Sequence, residues 1–298
     1  MPPVPNLALR LSPQGRRAVM AVLWIAATVG TLIGLGALRL HVTTDPLADV
    51  HAYYDAGARL NAGLPLYNQP AGTNDPAFYR YPPLLAIAFR PLALLPFNVA
   101  ASIWVVVLLA ATAATLWRVG LARRTWMALG MLAMPLLWTL AVGQAQALVT
   151  MLLAFGSPFG VALAGHLKLT PWLAGVYWAG RRDGRSMARL AAWTVGLGVL
   201  QFVIAPQATL DFLGFTSLSQ VGDVVNLSPY ALSPVLWAAG VAAGLVLAWR
   251  LAPTRWGWAA AVALCVLATP RLLAYQLSSM IAMLGGPREA AQPVEVTA

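Results

Sequence analysis

VMAVLWIAATVGTLIGLGAL, residues 19–38, is the stretch on which the fold turns. It carries no charge, and as an α-helix of about 20 residues it rises roughly 30 Å, the thickness of a bilayer's hydrocarbon core. A cleaved signal peptide has an apolar core of only about 7–15 residues, so this stretch reads as an uncleaved first span. Arg10, Arg16 and Arg17 precede it, which puts the amino terminus on the cytoplasmic side.

The rest of the chain repeats the pattern. Of 298 residues, 60% are hydrophobic and 9% charged, and the mean hydropathy is +0.72. A soluble domain needs roughly 25% charged residues to cover its surface. That shortfall excludes a soluble globule and a disordered chain. The net charge of +10 comes from arginines in short clusters between apolar runs, without the interleaved aromatics of a nucleic-acid-binding surface. Arg118, Arg123 and Arg124 form one cluster, Arg181, Arg182, Arg185 and Arg189 a second, Arg250 and Arg255 a third. Each return to the cytoplasm requires spans between clusters, expected near residues 98–118, 125–142, 144–156, 158–168, 170–180, 187–205, 232–250, 254–269 and 272–286. Several are too short to cross as straight helices and belong among neighbours as broken or half-spanning elements. The expected fold is therefore an all-α polytopic membrane protein, a bundle of about ten helices, several of them short. Residues 1–286 form one transmembrane domain, and 287–298 a polar tail. A single cysteine, Cys265, within an apolar run excludes disulfide frameworks and thiolate metal sites.

Two outer loops follow from this topology, residues 39–97 and 206–231. Residues 82–96 are apolar but contain Arg90 and are bounded by prolines; charge placement favours a helix along the outer surface over a further crossing. Four of the nine acidic residues, Asp45, Asp49, Asp55 and Asp75, fall in the first loop. Residues 48–62 read as a juxtamembrane helix stopped by Gly63, with Asp49, Tyr53, Ala56 and Leu60 on one face. Asp55 and Arg59 are spaced as an i, i+4 ion pair. Asp49 has no such partner, and its place at the helix amino terminus favours the ionised carboxylate that a general base for a sugar hydroxyl requires. Asp45 precedes Pro46 and belongs to the turn before the helix.

Several motifs follow one another in order: Asp49-Val50-His51-Ala52-Tyr53, Gly63-Leu64-Pro65-Leu66-Tyr67, Phe78-Tyr79-Arg80-Tyr81-Pro82-Pro83, Pro91-Leu92-Ala93-Leu94-Leu95-Pro96, Gly143-Gln144, Ala164-Gly165-His166-Leu167-Lys168 and Thr269-Pro270-Arg271. This ordered set, over about residues 45–275, resembles glycosyltransferase family 87, the GT-C-type polyprenyl-phosphate-mannose-dependent mannosyltransferases of bacteria. The resemblance implies a GT-C-type bundle in the bacterial inner membrane with its active site on the outer face. It implies transfer of a hexose, mannose by family, from a polyprenyl-phosphate donor to a glycolipid or glycan acceptor, with inversion. Asp49 matches the catalytic acidic residue of the first outer loop. Arg80, Lys168 and Arg271 are the basic residues placed to hold the donor phosphate, and Gln144, Tyr53 and Tyr81 line up as substrate-binding residues. No cofactor, metal or nucleotide-sugar site is implied.

Other readings compete residue by residue. Lys168 is the only charge between Arg124 and Arg181, and a charge at mid-bilayer costs about 2.5–3.5 kcal/mol, so it either snorkels from a helix end or serves the site. Gln144 and Gln146 suit an interhelical hydrogen bond as well as a substrate, and His166 suits helix packing better than catalysis. His41, His51 and Asp49 do not match a zinc spacing. Asn226-Leu227-Ser228 is a chance match to a glycosylation sequon. A transporter or flippase would show related halves and ionisable groups near the midplane, whereas the acids here crowd one loop. A non-catalytic subunit derived from a GT-C enzyme is the third reading.

Overall fold

The computed structural model describes residues 12–67, 78–214 and 225–287, and every regular element among them is helical. Arg10, Asp75 and the polar tail beyond Pro287 lie outside the described residues.

Four helices are long and apolar enough to cross a membrane: α1 (Pro13–Thr44), α4 (Phe97–Val119), α10 (Gly184–Ile204) and α12 (Pro234–Leu251). Their outward faces, such as Val22, Leu32, Val106, Val203 and Val235, are apolar and exposed, as surfaces meeting lipid must be. The first helix starts at Ser12, whose hydroxyl accepts from Gly15 N at 3.1 Å, and runs six residues past the apolar stretch read from sequence. It packs on α5 (Arg123–Met131) and α6 (Ala133–Ala141) through small residues; a Cβ at Gly34 would lie 2.7 Å from the Ala133 carbonyl carbon.

The short elements sit inside this frame. They are α7 (Gln146–Phe155), α8 (Pro158–Leu167), the 3₁₀ segment Thr170–Gly175, α9 (Val176–Gly180), α13 (Gly257–Leu267) and the 3₁₀ segment Ala274–Leu284. At about 1.5 Å per residue, α7, α8 and α13 each cover roughly half a bilayer core. Their interiors are nearly all buried. The break between α7 and α8 falls at Gly156, in the left-handed region, followed by Ser157, whose hydroxyl caps α8.

The first loop builds the floor of the site. Helix α2 (Ala48–Asn61) ends one residue short of the expected limit, before Gly63 at φ +67°. Its first turn docks on the end of α6: Leu47 N donates to Ala141 O and Asp49 N to Val142 O, both at 3.0 Å, so orphan donors of one helix meet orphan acceptors of another. Residues 82–96 form no helix long enough to cross. They form the seven-residue α3 (Pro83–Phe89) and the 3₁₀ turn Leu92–Leu94, and α3 buries Leu85, Ala86 and Phe89 against α2. Helix α11 (Pro206–Gly214) and the 3₁₀ turn Pro229–Ala231 belong to the second loop.

An aromatic cluster holds these pieces together. The ring of Tyr53, fully buried on α2, makes edge contacts with Tyr81, Phe89 and Trp104 at centroid distances of 5.4–5.9 Å. The expected Asp55–Arg59 ion pair is not formed. Arg59 Nε instead donates to Pro65 O at 2.9 Å, because the turn after α2 brings that carbonyl within reach of the guanidinium. Among the described residues the one ion pair is His41–Asp45, at 2.8 Å.

Candidate active site

Beneath α2 lies a cavity of about 770 Å³. Its lining combines polar residues, among them Asp49, Arg80, Tyr81, Lys168, Arg271 and Tyr275, with apolar ones such as Leu173, Trp237, Val241, Cys265 and Val266. The structure thus brings together residues separated by up to 234 positions, from the first loop to the last helical segments.

Asp49 stands in the first turn of α2 and faces this space. The amino-terminal position favours the ionised form, and the surroundings of Asp49 in the fold work against that. Enclosure by protein pushes its pKa up from 3.8 to about 6, and the nearby charges of Lys168 and Arg271 and the Gln144 amide pull it back only in part. Asp45 also lines the cavity, but His41 Nδ1 and the Thr44 hydroxyl, at 2.8 and 2.7 Å, already engage it.

Lys168 does not snorkel. It follows α8 in extended conformation and is buried, with Nζ 5.0 Å from the ring centroids of both Tyr81 and Tyr275. Cation–π attraction from two sides compensates part of its lost hydration. Its Nζ has no hydrogen-bond partner among the described residues, and neither has the buried Nε of Arg271. Buried donors without acceptors are costly, and both face the same cavity. Two residues on from Lys168 and two before Arg271, the hydroxyls of Thr170 and Thr269 lie 3.3 Å apart and tie the two segments in register. Arg80 lines the cavity too, with Nη1 donating to Phe78 O at 3.3 Å.

Tyr53 and Gln144, expected to touch substrate, do not line the cavity; both are fully buried behind it. The Tyr53 hydroxyl accepts from Ala145 N at 3.2 Å and donates to Gln144 Oε1 at 2.5 Å, while Gln144 Nε2 donates to the Tyr81 hydroxyl at 3.0 Å. This chain sets the Tyr81 ring that covers Lys168. The preceding Gly143 has φ +72°, its carbonyl accepts from Trp104 Nε1 at 2.8 Å, and a Cβ there would collide with Val50 of α2. Only glycine satisfies both conditions.

His166 and Gln146 each have a partner in the fold, and Gln146 also lines the cavity with its Oε1 unpartnered among the described residues. His166 Nε2 lies 3.0 Å from Thr194 O of α10, and Gln146 Nε2 donates to the Ser279 hydroxyl at 2.6 Å. Tyr275 was not singled out from sequence; its sole signal is an aromatic four residues after Arg271.

The model of glycosyltransferase family 87 matches residues 78–286. The chain belongs to that family. The match contains Arg80, Tyr81, Gln144, Lys168 and Arg271, and begins beyond Asp49 and Tyr53. A polyprenol-phosphate-mannose-dependent alpha-(1-2)-phosphatidylinositol pentamannoside mannosyltransferase of Mycolicibacterium smegmatis is 32% identical over 206 residues, 62% of this chain and 49% of that protein. One of the same description from Mycobacterium tuberculosis is 28% identical over 246 residues, 74% of this chain and 55% of its own. A third, the polyprenol-phosphate-mannose-dependent alpha-(1-2)-phosphatidylinositol mannoside mannosyltransferase of Mycobacterium tuberculosis, is 31% identical over 242 residues, 67% and 54% respectively. The chain spans about half the length of the curated relatives it matches. No solved structure matches it.

Proposed function

We propose that this family 87 member transfers a mannosyl residue from a polyprenyl-phosphate donor to a glycolipid acceptor, with Asp49 as general base. The observation that carries the reading is one cavity lined by a carboxylate, by Lys168 and Arg271 with unpartnered buried nitrogens, and by apolar side chains. A lipid-linked sugar phosphate has the same three parts. Its phosphate meets Lys168 and Arg271, with Arg80 beside them, and its isoprenoid chain runs along Leu173, Trp237, Val241 and Val266 toward the lipid-facing side of α12.

In the transfer, Asp49 accepts the proton of the acceptor hydroxyl as that oxygen bonds to the anomeric carbon. The bond from that carbon to the phosphate oxygen breaks on the opposite face, which inverts the centre. The leaving polyprenyl phosphate gains a negative charge, and fixed cations in a water-poor pocket favour that developing charge over the ground state. Arginine offers the planar fork that suits phosphate and lysine a point charge. This role requires no cofactor.

Membrane orientation is part of the proposal. With Arg16 and Arg17 cytoplasmic, α1 carries the chain outward, so Asp49 and the cavity open to the outer face. The short buried helices then complete a single bundle of about ten membrane-embedded segments over residues 1–286. The relatives' names make phosphatidylinositol mannosides the first acceptor class to try.

The deciding experiment places the purified protein in lipid nanodiscs with polyprenyl-phosphate-mannose, labelled in the sugar, and phosphatidylinositol mannoside acceptors. Labelled glycolipid from wild type, and none from Asp49→Asn, is the expected result. Product formed equally by the variant removes Asp49 from the mechanism; no product from wild type with any glycolipid overturns the activity.

A further inference from the structure

Arg271 reaches the cavity from a stretch that is neither helix nor strand, between α13 and the 3₁₀ segment Ala274–Leu284. Such a stretch has no ladder of its own to fix its backbone. The second outer loop supplies one. Asn226 Nδ2 donates to Pro270 O at 2.9 Å, and Asn226 Oδ1 accepts from Leu272 N at 2.9 Å. One carboxamide therefore pairs with the peptide groups on both sides of Arg271. Leu227 N donates to Leu272 O at 2.8 Å and extends the same pairing by one residue. Oδ1 also accepts from Ser228 N at 3.0 Å, a local turn that orients the carboxamide before it meets its partners.

We infer that Asn226 is a positioning residue for the donor phosphate, holding the backbone on either side of Arg271 so that the guanidinium faces the cavity. The inference rests on the reading of Arg271 above as a phosphate ligand. The residue type is specific. Asparagine presents one donor and one acceptor at the spacing of a peptide group. Aspartate keeps the acceptor but loses the donor to Pro270 O and sets an anion beside Arg271; alanine loses every contact. From sequence Asn226-Leu227-Ser228 was a chance sequon. In the fold its side chain is engaged on two sides by the segment that carries Arg271.

A double-mutant cycle tests the inference, with affinity for undecaprenyl phosphate and the KM values for donor and acceptor read on the same nanodisc preparations. Asn226→Ala and Asn226→Asp are each expected to weaken undecaprenyl phosphate binding and raise donor KM about three- to tenfold, with acceptor KM unchanged, as the loss of a charge-assisted contact predicts. In an Arg271→Gln background the same substitutions are expected to change neither quantity further. Additive losses, a shift in acceptor KM, or no change from either variant overturns the inference. So does failure of both variants to fold, since Asn226 is then required for the bundle as a whole. Binding is read without turnover, so a wild type that binds the lipid phosphate but transfers no mannose refutes the activity and leaves the Asn226 test intact.

Discussion

The hydroxyl of Tyr53 donates to Oε1 of Gln144 over 2.5 Å, joining α2 to the turn between α6 and α7 across 91 positions of sequence. The same hydroxyl accepts from Ala145 N. Tyr53→Phe keeps the ring and its edge contacts but leaves one buried acceptor and one buried donor unsatisfied. The expected cost is about 1–3 kcal/mol, read as a lowered midpoint of thermal unfolding in detergent. An unchanged midpoint would mean that water replaces the hydroxyl and that the chain does not hold Tyr81.

Asp49 makes a prediction with two signs. As the proton acceptor it must be ionised, so kcat should rise with pH through about 6. Its substitution by asparagine should lower kcat at least about 10²-fold. Stability should move the other way. A carboxyl whose folded pKa is raised above its unfolded value stabilises fully only below that unfolded value, and the contribution is lost as pH climbs through the folded one. The raised pKa therefore means that holding this carboxylate ionised lowers the stability of the fold at neutral pH. Asp49→Asn should therefore unfold no earlier than wild type at pH 7.5. A variant both inactive and destabilised would point to a structural carboxylate.

Lys168 and Arg271 are expected to separate donor from acceptor. Lys168→Gln or Arg271→Gln should raise donor KM tenfold or more, on the scale of about 1.5–3 kcal/mol for hydrogen bonds to charged groups, with acceptor KM within about twofold of wild type. Steady-state kinetics with each substrate varied in turn gives the ranking. The opposite ranking would assign the two cations to the acceptor.

The apolar lining of the cavity predicts dependence on chain length. Val241→Trp narrows the groove beside Trp237. Donor KM should rise for a C55 chain and change less for a C10 analogue, whose short tail makes fewer apolar contacts. Equal effects on both donors, or an effect on acceptor KM alone, would place the isoprenoid elsewhere.

Much of the architecture was legible because lipid imposes a simple rule on sequence: backbone polar groups must pair within helices, and charges retreat to the ends. The limits expected for α2 and α4 agree with the structure to within about one residue, as Gly63, Pro96 and Gly120 mark them. Residues 125–142 read as one span and fold as two, with Leu132 ending α5 and Pro135 lying in the first turn of α6. Asp55 and Arg59 carry the right spacing for a pair, but the guanidinium found a nearer carbonyl in the following turn. Local spacing permits such a contact without deciding it.

Sequence alone determined that the chain is helical and membrane-embedded, since composition and the lengths of apolar runs are properties of the chain read in order. It also marked Asp49 and Lys168 as polar exceptions in an apolar text, and the family resemblance added Arg80, Tyr81 and Arg271. Only the tertiary structure decided what surrounds them. The pKa of Asp49, the two-ring enclosure of Lys168, the withdrawal of Tyr53 and Gln144 behind the cavity wall and the grip of Asn226 on the Arg271 segment all depend on contacts between residues tens to hundreds of positions apart. Burial and field strength are set by whatever packs nearest in space, and no one-dimensional pattern carries that information.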